Sequence, residues 1–156
     1  MATARVKPSI DDDELVTWWG LVIEGYLVTH NTLMGEITKK YELAPASFDI
    51  LIRLLRSPEH RMPMTRLATE AALSSGGFTK VADRLANAGL IRREPCDKDR
   101  RVVYAVLTKH GLAVATRARR TCADVLRELV LQPLGEKRAA ALAETMRLLR
   151  ETNSER

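Results

Sequence analysis

At Gly89 the sequence changes its period. Upstream, apolar residues recur three and four positions apart, the spacing of one helix face. Downstream, Leu90 to Pro95 and Val102 to Leu107 are short runs rich in apolar and β-branched residues. Cys96-Asp97-Lys98-Asp99-Arg100-Arg101 separates them, so the pair reads as a hairpin with a charged tip. Just before the change lie a short helix from about Thr65 to Ala72, a Leu73-Ser74-Ser75 turn, and a helix from Gly76 to Ala88 stopped by Gly89. Two short helices across a tight turn, followed by a hairpin, predict a winged helix-turn-helix whose second helix can enter a DNA major groove.

The flanking segments predict longer helices. Asp11, Asp12 and Asp13 suit a helix start, because short acidic side chains accept the free N–H groups of a first turn. Leu15, Trp19, Val22, Tyr26, Leu33 and Ile37 then mark one long helix from about Asp12 to Lys40, with Gly20, Gly25 and Gly35 weakening it. Pro45 opens a second amphipathic helix carrying Phe48, Leu51, Ile52 and Leu55, ended by Ser57-Pro58. After the hairpin, Thr108 can cap a helix from about Lys109 to Leu131, and Gln132-Pro133-Leu134-Gly135 divides it from a helix over Glu136 to Glu151 with Leu142, Met146 and Leu149 on one stripe. The expected fold is mainly α with a small β-hairpin wing: a dimerisation helix over 1–42, a winged helix-turn-helix over 43–107 and dimerisation helices over 108–156. Aromatics at 4% fit a helical protein better than a sandwich or barrel.

The formal net charge is +5, and nine Lys or Arg face five Asp or Glu between Arg61 and Arg101. The excess therefore sits in the middle third, where it predicts a polyanionic partner, double-stranded DNA. Leu67, Ala68 and Ala71 are expected to face inward from the first short helix, and Phe78, Val81 and Leu85 from the second. That leaves Ser75, Gly76, Thr79, Lys80 and Arg84 mostly on the opposite side. Hydroxyls can bond phosphate or base edges, Lys and Arg neutralise phosphate, and Arg can pair bidentately with guanine. Ser74 to Gly77 also leave the helix N-terminal amides open to a phosphate. Lys98, Arg100 and Arg101 at the wing tip can reach an adjacent minor groove. Asp97 and Asp99 are expected to be structural, orienting one of the two arginines by a charge-assisted pair.

The run Leu73-Ser74-Ser75-Gly76-Gly77-Phe78-Thr79-Lys80, through Asp83-Arg84-Leu85 to Gly89-Leu90-Ile91, resembles the MarR family of bacterial regulators. The likeness continues through Arg92-Arg93, Asp99-Arg100-Arg101 and Leu107-Thr108 with Gly111, and covers essentially the whole chain. It implies a triangular homodimer, with the first and last two helices intertwined and two winged modules on a pseudo-palindromic operator. Repression is the commonest role in that family. Many members release DNA when a small aromatic or phenolic anion enters a crevice between the dimer helices and the winged module. By that likeness Trp18, Trp19, His30, Phe48 and Arg53 are ligand candidates, the aromatics for stacking and His or Arg for the anionic group. Asp49 with the tryptophans is similar to the urate-responsive branch, but the tryptophan there lies further upstream, so that ligand is not carried over. The family typically places a further acidic residue where this chain has Cys96.

Other function classes are weighed on the same residues. A helical adaptor using its winged module to bind protein has no need of cations on both a helix face and a wing. A redox-sensing regulator would act through Cys96 or Cys122, which form no Cys-x-x-Cys pair. No Gly-x-Ser-x-Gly elbow, phosphate loop or His-x-x-x-His spacing is present, so an enzyme, a metal site and a cofactor are not expected. No run approaches a membrane span and Met1 to Pro8 lack the apolar stretch of a secretory signal, which predicts a cytoplasmic protein.

Overall fold

The computed structural model describes residues 9–71, 73 and 75–154, with the side chain of Ser75 left out. Among the described residues six α-helices and three strands follow in the order α1 (Asp12–Tyr41), α2 (Pro45–Arg56), β1 (Arg61–Pro63), α3 (Met64–Glu70), α4 (Ser75–Asn87), β2 (Ile91–Pro95), β3 (Val103–Leu107), α5 (Lys109–Leu126) and α6 (Gln132–Asn153). By contact density the chain divides into two compact units, residues 1–32 and 33–156.

The first unit is the early part of α1. The Asp11 carboxylate accepts the Glu14 N–H at 2.8 Å, and Asp12, Asp13 and Glu14 sit at the positive end of the helix dipole. Its apolar side chains are not covered within one chain: Trp18, Trp19, Leu21, Ile23, Tyr26 and Leu27 are all exposed. The Tyr26 and His30 rings, one turn apart, stack with centroids 5.1 Å apart.

The second unit holds the core. Ile50, Leu51 and Leu54 of α2 are fully buried, which contributes roughly 1.5–3 kcal/mol for each side chain. Around them pack Leu33, Met34 and Ile37 from the end of α1, Leu67 of α3, Phe78, Ala82 and Leu85 of α4, and Val114, Ala115 and Ala118 of α5. The Tyr41 hydroxyl lies 2.7 Å from that of Thr121, tying the end of α1 to α5.

Three expectations hold in outline and differ in detail. The hairpin is part of an antiparallel sheet of order β1-β3-β2, with Met62 opposite Ala105 and Ile91 opposite Leu107. β1 carries no sequence signal because three residues ending in Pro show no period. Within α4 the buried set is Phe78, Ala82 and Leu85, and Val81 is only half-buried. The division expected at Gln132 to Gly135 is reduced to Gly135, at φ 73°, while Arg127–Leu131 winds as a π-helical turn. Pro133 lies in the first turn of α6, directly after that π-helical turn.

Candidate nucleic-acid interface

Helix α4 buries one face and presents the other. With Phe78, Ala82 and Leu85 inside, Gly76, Thr79, Lys80, Asp83 and Arg84 are exposed. Ser74 and the side chain of Ser75 lie outside the described residues. Asp83, though exposed, is paired: its carboxylate takes the Arg93 guanidinium at 2.5 Å, fastening α4 to the first wing strand. Sequence reasoning missed this pair, although Asp83 and Arg93 both fall in the run that carries the family likeness.

The join between α4 and the wing is built from three residues. Gly89, at φ 71°, ends α4 in a Schellman turn, with Leu90 N–H donating to Leu85 O at 3.0 Å and Gly89 N–H to Ala86 O at 2.9 Å. The Thr108 hydroxyl donates to Gly89 O at 2.6 Å and accepts the Gly111 N–H at 2.9 Å, so one side chain binds the end of α4 and caps α5. Gly111 permits this approach, since a Cβ there would lie 1.8 Å from Leu90 O.

At the wing tip, Asp99 holds Arg101 by three contacts: the Arg101 N–H at 3.0 Å, Nε at 3.2 Å and Nη2 at 3.3 Å. The Arg101 side chain and backbone hydrogen bonds lower the Asp99 carboxyl below its usual range. Arg101 nevertheless stays 91% exposed, poised but solvated. Asp97 has no bonding partner among the described residues.

Pairing sorts the nine cations of this region. Arg61, Arg66, Arg92, Arg93 and Arg101 each meet a carboxylate. Lys80, Arg84, Lys98 and Arg100 have no ion-pair partner among the described residues and are exposed. Two lie on the outward face of α4 and two at the wing tip. An exposed cation without a carboxylate is free to neutralise phosphate or reach a base edge.

The six ligand candidates are placed differently. Trp18 and Trp19 are about half exposed and His30 stacks on Tyr26, while Phe48 belongs to the buried core. Asp49 accepts from Arg53 Nε at 2.8 Å one turn on, and Arg53 also approaches Glu70 at 3.7 Å. Both cysteines are half-buried free thiols. Burial raises the Cys122 pKa and so lowers its thiolate fraction. Among the described residues no cluster of His, Cys, Asp or Glu could hold a metal ion, and no helix is long and apolar enough to cross a membrane.

Comparison with known proteins agrees with this geometry. The model of the MarR family matches residues 43–103. The HTH-type transcriptional regulator PecS of Dickeya dadantii is 29% identical over 132 residues, spanning 84% of this chain and 78% of PecS. AbsC, a MarR family transcriptional regulator from Streptomyces coelicolor, superposes with a TM-score of 0.80 at 26% identity, over 96% of this chain and 100% of AbsC. Sco3205, another MarR family regulator from that organism and solved in complex with DNA, gives 0.79 at 27% identity over 94% and 91%.

Proposed function

Because the chain belongs to the MarR family of transcriptional regulators, we propose that it acts as a cytoplasmic homodimeric repressor, with α4 in the major groove of a pseudo-palindromic operator and the wing tip in the minor groove beside it. The observation that carries this reading is the segregation of the nine cations between Arg61 and Arg101: among the described residues, the four of them without a carboxylate partner, Lys80, Arg84, Lys98 and Arg100, lie on the α4 face and the wing tip. That Sco3205 was solved in complex with DNA supports a DNA partner for this chain. Gly76 and Thr79 would approach the bases or backbone with Lys80, and Asp99 would aim Arg101. Residues 43–107 form the reading module in this account.

The residues flanking that module, 1–42 and 108–156, would supply the dimer. Exposed Leu15, Trp19 and Tyr26 in the first unit, and Leu142, Leu148 and Leu149 on α6, favour cover by a second copy. A two-fold dimer then presents two recognition helices to paired half-sites. Release by a small aromatic or phenolic anion is the family's common device, to be tested by a panel of such acids on DNA affinity.

The test is binding of the purified protein to the DNA flanking its own coding sequence, against a scrambled duplex, at two salt concentrations. Tight, sequence-selective binding that falls steeply with salt is expected, because phosphate contacts release counterions. Equal, salt-insensitive binding to both duplexes would refute the reading.

A further inference from the structure

Lys80 and Arg84 stand on α4, Lys98 and Arg100 at the wing tip. For one duplex to take both pairs, the wing has to keep a fixed distance and angle from α4, because two linked contacts reinforce each other only when the link holds them in register. The sheet braces the wing from one side. β1 pairs with Tyr104 to Val106 of β3, whereas β2 is the outer strand. Beyond Pro95 and Val103 the ribbon is two strands closed by the Cys96 N–H on Val102 O at 2.9 Å, and a two-stranded ribbon has little rigidity of its own.

Arg93 supplies the brace on the other side. It stands opposite Ala105, which is fully buried, so the two side chains share the inward face of the sheet and Arg93 leaves it at the edge beside α4. There its Nη2 lies 2.5 Å from Asp83 Oδ1. The neighbouring Arg92 and Glu94 fall on the opposite face, where Glu94 takes Arg92 Nε at 2.6 Å and lies 3.6 Å from Arg61 of β1. The strand is thus tied to β1 across one face and to α4 across the other. Asp83 follows Lys80 by three positions and directly precedes Arg84, a place where a bare carboxylate would repel phosphate, and Arg93 offsets its charge. With the Arg93 and Asp83 side chains 38% and 54% exposed, the pair adds little to folding stability. What it fixes is the angle of the wing.

We propose that Asp83 and Arg93 are positioning residues for DNA binding: their ion pair sets the wing against α4 so that Lys98 and Arg100 engage the same duplex as Lys80 and Arg84. The proposal rests on the operator reading above and gives part of the wing's effect on affinity to two residues that need not touch DNA. A purely electrostatic role predicts the opposite sign. Removing the Asp83 carboxylate deletes a negative charge beside Lys80 and Arg84 and frees the Arg93 cation, which by charge alone tightens binding. Loss of the brace weakens it.

Two measurements on Asp83→Ala test this, one of them without DNA. In the free protein, amide nitrogen relaxation should show lower order parameters at Lys98, Asp99 and Arg100, while those of Tyr104 to Val106 and the melting temperature stay unchanged. Arg93→Lys, which keeps a charged donor for the single Asp83 contact, should retain the wild-type values. On the duplex flanking the protein's own coding sequence, Asp83→Ala should bind about tenfold more weakly, and Arg100→Ala should cost about tenfold in the wild type but less than about twofold in the Asp83→Ala background. Unchanged wing-tip order parameters, tighter binding by Asp83→Ala, or an equal loss from Arg100→Ala in both backgrounds would overturn the proposal. Because the relaxation measurement contains no DNA, it decides the brace even where the duplex shows no selective binding and the operator reading fails.

Discussion

Helices α4 and α1 both carry apolar residues at helical spacing, yet the chain treats them differently. Phe78, Ala82 and Leu85 of α4 are no more than 5% exposed, whereas Leu15, Trp19 and Tyr26 of α1 are exposed by more than half. In α4 the apolar stripe meets α2 and the sheet of its own chain, so folding alone satisfies it. In the first unit the stripe is left open, and an apolar surface of that kind marks an interface. On the proposed reading, the difference separates a face that positions the DNA-reading helix from one that awaits a second copy.

The largest expected effect attacks the open stripe. Trp19→Asp with Leu27→Asp should leave a folded monomer by sedimentation and lower operator affinity about a thousandfold, on the order of 4 kcal/mol. An unchanged dimer mass would break the comparison. Next comes the closed region, where Gly111→Ala drives a Cβ into the Leu90 carbonyl and should destabilise the fold by about 3 kcal/mol. Thermal melts should show the same loss whether the chain is dimeric or carries the α1 substitutions. Smaller still, Arg84→Ala should leave the melting temperature alone and cost about 2 kcal/mol on the operator, if it makes one specific base contact. Affinity measured on operator and scrambled duplex would show whether the loss is selective.

The smallest effect concerns the wing. Hydrogen bonds from Arg101 hold the Asp99 carboxyl below its unfolded value, so the stabilisation is present above that unfolded value and is lost as pH falls through the folded one. Arg101 Nε signals followed by NMR should change over that acidic window in wild type and stay flat in Asp99→Asn. A flat wild-type profile would mean that the wing is ordered by its backbone alone.

The same contrast explains what could be read in advance. The helix-turn-helix was legible because Phe78 and Leu85 repeat at the spacing their burial requires, and Gly89 punctuates the end of α4 at φ 71°. Thr108 as a cap was legible because hydroxyl and helix start are adjacent in sequence. What escaped depends on residues separated in the chain: β1 against β3, and Asp83 on Arg93. Periodicity also could not choose between Val81 and Ala82, because both satisfy a three-or-four spacing from Phe78. The pairing that separates free from occupied cations likewise needs coordinates, since nine cations in one stretch look alike as letters.

Selection from a random duplex pool tests the central claim most directly, comparing the wild-type protein with Lys80→Glu combined with Arg100→Glu. The wild type should enrich a two-fold-related motif with salt-sensitive affinity, and the variant should enrich none while folding normally. Enrichment of the same motif by both proteins, or of no motif by either, would contradict the assignment of α4 and the wing tip as the DNA-reading surface.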